Sequence, residues 1–267
     1  MDVFKRSLAP VVDGAWEQIE DEARRALRAN LSARRVVDVS GPHGLAFGAV
    51  PLGRLDVPAN QPADDVCYGR HLVQPLVEVR VRFELDVWEL DNVARGARDL
   101  DLDAVARAAE KIARFEETAV YDGFDPGCIR GLAAAASHAP IDLGKDGTEY
   151  PDAVLRAMFA LQDQGVDGPY ALVLGSTPYR LLQAAACAYP PAKIVSEVIG
   201  GPVVRAPFLE GGFLIAQRGG DAELTLGQDV ALGYEAHDTK RVRLFLTESL
   251  TFRVLEERAV VRLTTTP

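Results

Sequence analysis

The chain is 267 residues long, 48% hydrophobic, and carries a formal charge of −10 at pH 7. That length allows one large domain or two small ones around a sizeable core. The acidic balance argues against nonspecific binding to nucleic acid or anionic membranes, whose phosphates repel it, and no run of about 18 apolar residues offers a membrane span. Cys67, Cys128 and Cys187 form no CxxC, so neither a zinc ribbon nor a redox pair is indicated. They read as reduced thiols of a cytoplasmic protein. The opening MDVFKRSLAP lacks the apolar run of a secretory signal, so none is expected.

In chain order, an extended arm leads into a helix that Asp13 is expected to cap, with Trp16, Ile19, Ala23, Leu27 and Leu31 along one stripe. Arg34 to Ser40 reads as a short strand. From Leu45 to Pro75, short strands (Ala46 to Val50, Arg54 to Val57, Val66 to Tyr68) alternate with prolines, and Ala59 to Asp65 reads as a polar hairpin tip. This ribbon has too little apolar content to fold alone and is expected to bury its face on another chain. Val77 to Val87 alternates valine, phenylalanine and leucine with charged residues, the period of a strand with one dry face. Leu100 to Gly123 is the longest helical pattern, started by Asp101 or Asp103. Its apolar stripe is Val105, Ala109, Ile112, Phe115 and Ala119; Glu110, Lys111, Arg114, Glu116 and Glu117 are expected on the wet side. Leu132 to Gly220 alternates helix and strand and reads as an α/β lobe inserted into the domain of that strand and helix. From Arg241 a strand pattern returns. Glu248 falls on its apolar face, so either an arginine pairs with it or that face is half covered.

Motifs for catalysis are missing from the sequence. His43, His71, His138 and His237 are scattered, without metal-ligand spacing. No nucleophile elbow, P-loop or dinucleotide fingerprint follows a strand. Neither a catalytic group, a metal nor a required cofactor is expected. Trp88 alone offers a stacking platform for a planar ligand; a tryptophan packed at a strand end or a subunit contact is the plainer reading.

Several blocks nevertheless carry a likeness. FKRSLAP before Trp16, RRVVDVSGPHG, PLGRL, DVWELDNVARG at Asp86 to Gly96, GVDGPYALVL at Gly165 to Leu174, RGGDAELTLGQDVALGYEAHD at Arg218 to Asp238, and VRLFLTESLTFRVL resemble the encapsulins, also called linocin-like bacteriocins. The resemblance spans nearly the whole chain in order. It implies an α+β fold, the tailed-phage major capsid protein fold of the Hong Kong 97 phage type, with a peripheral domain, an axial domain and an extended loop. The implied division is 1–45, arm and helix of the peripheral domain; 46–75, extended loop; 76–131, peripheral domain with its long helix; 132–220, axial domain; 221–267, peripheral C-terminal strands. It implies a cytoplasmic shell of roughly 60 identical chains. The shell encloses cargo such as a ferritin-like protein or a dye-decolourising peroxidase bearing a C-terminal targeting peptide, giving an iron-storage or oxidative-stress role through the cargo. Nucleic acid and membrane are not implied as partners. The implied cargo-peptide groove takes Ile19, Ala23, Leu27, Arg34, Asp38 and Tyr234, so Ile19→Asp is expected to give an assembled shell without cargo. The implied pore loop is Cys187, Ala188, Tyr189, Pro190, Pro191 and Lys193. A viral major capsid protein is the near alternative; a hydrolytic enzyme or a small-molecule-binding protein is the alternative of another class.

Overall fold

The computed structural model describes residues 3–61 and 65–265. In chain order the elements are α1 (Asp13–Asn30), β1 (Asp38–Ser40), β2 (Ala49–Asp56), β3 (Arg70–Pro75), β4 (Val77–Asp86), α2 (Val87–Ala94), α3 (Asp103–Tyr121), α4 (Leu132–Ala135) and β5 (Ile141–Asp142). Then follow α5 (Tyr150–Asp163), β6 (Tyr170–Gly175), α6 (Ser176–Ala184), α7 (Pro191–Ile199), β7 (Val203–Ala206), β8 (Gly212–Ala216), β9 (Ala222–Leu226), β10 (Ala231–His237), β11 (Arg241–Val254) and β12 (Val260–Thr264).

The long strand β11 organises the first sheet. Its N-terminal half lies between β10 and β4, both antiparallel to it, and its C-terminal half pairs with β9, which carries β1 at its other edge. The alternation of β4 puts Phe83 and Leu85 on the dry face, where α3 and α1 cover them. Trp16 and Ile19 of α1, Val105 and Ile112 of α3, and Leu244 and Leu246 of β11 close this core. The second sheet runs β5-β12-β8-β6-β7. Its central β6 (YALVLG) is buried throughout, which is why that strand reads as a continuous apolar run. Helices α5 and α7 pack over it through Val154, Leu161, Val195 and Ile199. A third cluster, with Tyr121, Phe213, Phe252 and Val260, joins the two sheets.

Several boundaries differ from expectation. The first helix begins at Asp13 itself: Val12 is the capping position and makes no side-chain hydrogen bond, so Asp13 sits in the first turn, where its charge meets the positive helix end. Asp101 does serve α3, accepting from the Asp103 N–H at 3.1 Å. The expected strand at Arg34 to Ser40 is a tight turn over Ala33–Arg35 followed by the three-residue β1. The strand Val260–Thr264, expected with the peripheral strands of 221–267, pairs instead with β8 and β5 of the lobe. The chain must therefore return to the lobe at its end. At the close of α3, Gly123 (φ +101°) lies against Gly131, where a Cβ would come within 2.3 Å of the Gly123 nitrogen. Only glycine permits that crossing.

The ribbon is a single hairpin rather than three short strands. Among the described residues β2 and β3 pair only with each other. Its base is tied down: Val50 is buried, and the Gln74 amide donates to the Phe252 carbonyl at 2.7 Å. Beyond that point Leu52, Leu55, Val57, Leu72 and Val73 are all exposed. Part of the expected polar tip, residues 62–64, lies outside the described residues. The arm behaves differently from the ribbon. Phe4 accepts a backbone bond from the Tyr234 N–H at 2.8 Å, Arg6 pairs with Glu20 at 2.5 Å, and its guanidinium lies 4.5 Å from the Trp16 ring centre.

Candidate functional site

A groove of about 740 Å³ runs between α1 and the β10 edge. One wall is the outer side of α1, with Ala23, Leu27 and, just past its end, Leu31; Val230, Ala231 and Leu232 form the other. The i, i+4 spacing of Ala23, Leu27 and Leu31 is what aligns them on one face. Phe4 of the arm lies across one side, Leu246 of β11 lies deeper, and Arg24, Arg28 and Arg35 stand at the rim. Its character is therefore an apolar trough with charged edges, open along its length and suited to an extended or helical peptide.

Arg34 and Asp229 line the groove and connect it to a buried ionic cluster. The Arg34 Nε donates to Glu116 at 2.9 Å, Nη2 donates to Glu116 at 2.6 Å and to Glu248 at 2.5 Å, and Nη1 donates to Asp229 at 2.9 Å. Glu116 and Glu248 are fully buried, whereas the Arg34 side chain keeps 20% of its surface. Burial acts to lower the Arg34 pKa, but the hydrogen bond and charge of Glu116, with Glu248 and Asp229 behind it, outweigh this and hold it above the ordinary guanidinium value. Burial pushes the Glu248 carboxyl well up, Glu116 adds to the rise, and Arg34 only partly offsets it.

A neighbouring carboxylate holds the turn that delivers Arg34. Glu117 accepts from the Ser32 and Ala33 N–H groups, both at 2.8 Å, and from the Ser32 hydroxyl, which also contacts the Tyr121 hydroxyl at 2.8 Å. Burial raises the Glu117 pKa to about 7 against the pull of those bonds. The expectation that Glu116 and Glu117 face water is thus wrong. The spacing carried the signal: Glu116 falls four residues after Ile112 and three before Ala119, inside the apolar stripe. Acidic character was the wrong guide there. For Glu248, position on the dry face was the right one, and its partner is indeed an arginine.

Of the six expected groove residues, Ala23, Leu27 and Arg34 line it. Ile19 is fully buried beneath the helix. Ile19→Asp would place a charge in the core, and the expected outcome is now a destabilised subunit, by several kcal/mol, rather than an intact shell lacking cargo. A fall in the thermal midpoint measures it. Tyr234 is also buried; its hydroxyl contacts His237 Nδ1 at 2.6 Å. Asp38 lies in a different cleft beside Gln217 and Arg218, where it accepts from the Gly220 N–H at 2.6 Å. Asp229, Leu246 and Glu116 were missed because separate elements bring them together, whereas Leu31 lay on the counted helix stripe and could have been named from its spacing.

The loop between α6 and α7 exposes Cys187, Ala188, Tyr189 and Pro190. Pro191 is buried as the first residue of α7, Lys193 is exposed, and the Tyr189 hydroxyl donates to Glu197 at 2.6 Å. Trp88 does not end the strand. It stands in the first turn of α2, which Asp86 caps through the Trp88 N–H at 2.9 Å. The residue is 72% exposed, its ring centre lies 6.0 Å from the Arg95 guanidinium, and it lines neither cleft described above. Among the described residues no helix is long and apolar enough to cross a membrane.

The profile of the family described as "Encapsulating protein for peroxidase" matches residues 1–251. A type 1 encapsulin shell protein of Rhodospirillum rubrum is 44% identical over 270 residues, spanning 98% of this chain and 96% of the relative. Among solved structures, a virus-like particle from Pyrococcus furiosus superposes with a TM-score of 0.67 at 15% identity, covering 94% of this chain and 99% of that one. The Microbacterium phage Oxtober96 structure does so with 0.59 at 13% identity, covering 89% and 91%. The fold is that of the phage capsid proteins.

Proposed function

The chain belongs to the encapsulin shell-protein family, and on that premise we propose how it works as a structural subunit that assembles with copies of itself into a hollow shell. The observation that carries this reading is the hairpin β2–β3, which extends off the body with apolar residues on both faces and no partner sheet within the described residues. A two-stranded ribbon of that kind is marginal alone and gains its partner from a neighbouring copy. The body then divides into a peripheral part, built on the sheet of β11, and an axial part, residues 132–220 joined by β12. In this assignment the Cys187 to Lys193 loop surrounds a pore at a symmetry axis. The site is a cytoplasmic compartment, and any reaction belongs to the cargo rather than to the shell.

The groove over α1 faces the lumen and receives the targeting peptide of a cargo enzyme, a ferritin-like protein or a dye-decolourising peroxidase. The apolar Ala23, Leu27 and Leu31 take its aliphatic anchors, and Asp229 takes a hydrogen-bond donor. The viral capsid alternative shares the fold, but the family match and the 44% identity favour the encapsulin reading.

Mass photometry tests the shell: a discrete particle in the megadalton range supports it, and a monomer or dimer overturns it. For the groove, Leu27→Asp is the informative variant. Leu27 is only half buried, so the charge is tolerated. Particles of normal mass that no longer co-purify with cargo are expected. Unchanged cargo loading would remove the groove from the account.

A further inference from the structure

Three carboxylates converge on one guanidinium at the floor of the groove. Each group facing Glu248 comes from a different element. Arg34 comes from the turn after α1, Glu116 from α3, and Asp229 from the turn before β10. From β4 the residue opposite Glu248 is Val79, and its neighbours Glu78 and Arg80 point from the opposite face of that strand. Arg28 and Arg35 line the groove without reaching the cluster through an ion pair. Glu117 lies one residue along α3 and spends its oxygens on Ser32 and Ala33. If every carboxyl ionised, Arg34 would leave two negative charges uncompensated. Asp229 is 44% exposed and meets solvent at its outer edge. Glu116 and Glu248 are fully buried, away from solvent. The second oxygen of Glu248, Oε2, accepts from no N–H or O–H donor, and the Glu248 carboxyl stands within hydrogen-bonding reach of Glu116, an arrangement that suits a carboxyl group better than a carboxylate.

We propose that Glu248 keeps a buried proton at neutral pH, and that its loss in alkaline solution sets a buried charge beside Glu116, pushes the carboxyl groups around Arg34 apart and loosens the groove floor. This deepens the peptide-groove reading and rests on it for its consequence: a ligand that docks on the intact floor favours the protonated Glu248 and is held less tightly as pH rises. The sign for stability is the same. A carboxyl that keeps its proton in the fold but ionises in the unfolded chain stabilises most at acid pH. That contribution declines as pH climbs from the ordinary carboxylate range through the folded value. Glu117 adds in the same sense over the interval from 4.5 to about 7.

The test uses assembled shell produced without cargo, so that it reads the proton whether or not a peptide ever binds. Infrared difference spectra in heavy water, wild type against Glu248→Gln, are expected to show the carbonyl band of a protonated carboxyl at neutral pH that the variant loses. Amide exchange at Ser32 to Val36 and Asp229 to Leu232, corrected for its intrinsic rate, is expected to rise in wild type by up to about tenfold per pH unit above the transition, and to stay level in Glu248→Gln. Absence of the carboxyl band, or equal alkaline loosening in wild type and variant, overturns the proposal. Should a variant fail to assemble, a pH titration of wild type alone decides: the band and the exchange protection must be lost together, and separate transitions reject the coupling. Loss of cargo co-purification in Leu27→Asp with no carboxyl band would reject the proton while leaving the groove in place.

Discussion

Arg34→Ala is expected to be among the most damaging single substitutions in the chain. It removes a cation bonded to both Glu116 and Glu248, which are fully buried. Breaking a buried ionic group by deleting one partner costs about 3–5 kcal/mol, because what remains stays buried without its partner. Subunits of this size have only about 5–15 kcal/mol to lose. The expected result is a large fall in the denaturant midpoint and poor recovery of particles. Arg34→Lys is expected to rescue only partly, since an ammonium cannot reach Glu116, Glu248 and Asp229 from one planar fork. Combining Arg34→Ala with Glu116→Leu and Glu248→Leu is expected to recover most of the loss, as an apolar replacement of the whole cluster often does. Arg24→Ala serves as control: its pair with Asp21 is exposed, so the change should stay within about 0.5 kcal/mol. An Arg34→Ala shift as small as that of Arg24→Ala would mean that the cluster is hydrated and unimportant to the fold.

Elements whose information is local were legible in the sequence. The β4 alternation, the α3 stripe, the wholly apolar β6 and the Pro151 start of α5 each follow from residues within one or two turns or strand repeats of each other. The ribbon was legible as a misfit, by its prolines and thin apolar content, though not as one hairpin, because the register between β2 and β3 depends on pairs some 20 residues apart in the chain. The groove was half legible. Ala23 and Leu27 lie on a helix face that can be counted. Ile19 shares that periodicity but belongs to the inner edge of the stripe, and periodicity alone does not say which edge meets the sheet. Asp38 follows Arg34 by four residues, yet the tight turn over Ala33–Arg35 sends it to another cleft. Asp229 and Glu248 meet Arg34 across about 200 residues of chain, a separation at which composition and spacing carry no signal.

Replacing Leu55 and Val73 of the ribbon by serine is expected to leave the subunit folded and to deplete the particle. The two side chains are 52% exposed in the isolated chain, so their removal takes little from the body's core. Each becomes valuable only if a neighbouring copy covers it. Burying the rest of a half-exposed leucine or valine is worth about 1 kcal/mol at roughly 25 cal/mol per Å². In a closed shell that increment recurs at every copy of the contact, so a modest local loss becomes a large one for assembly. Shortening the segment from Asn60 to Asp65 should act in the same direction by shifting the strands that present these residues. Mass photometry separates the outcomes: free subunits or small oligomers in place of the full particle, with subunit circular dichroism unchanged, is the result expected. Particles of normal mass and thermal stability from the Leu55→Ser, Val73→Ser double variant would show that the ribbon is not what joins one subunit to the next. The assembly contacts would then have to be sought on the faces of the two sheets' covering helices.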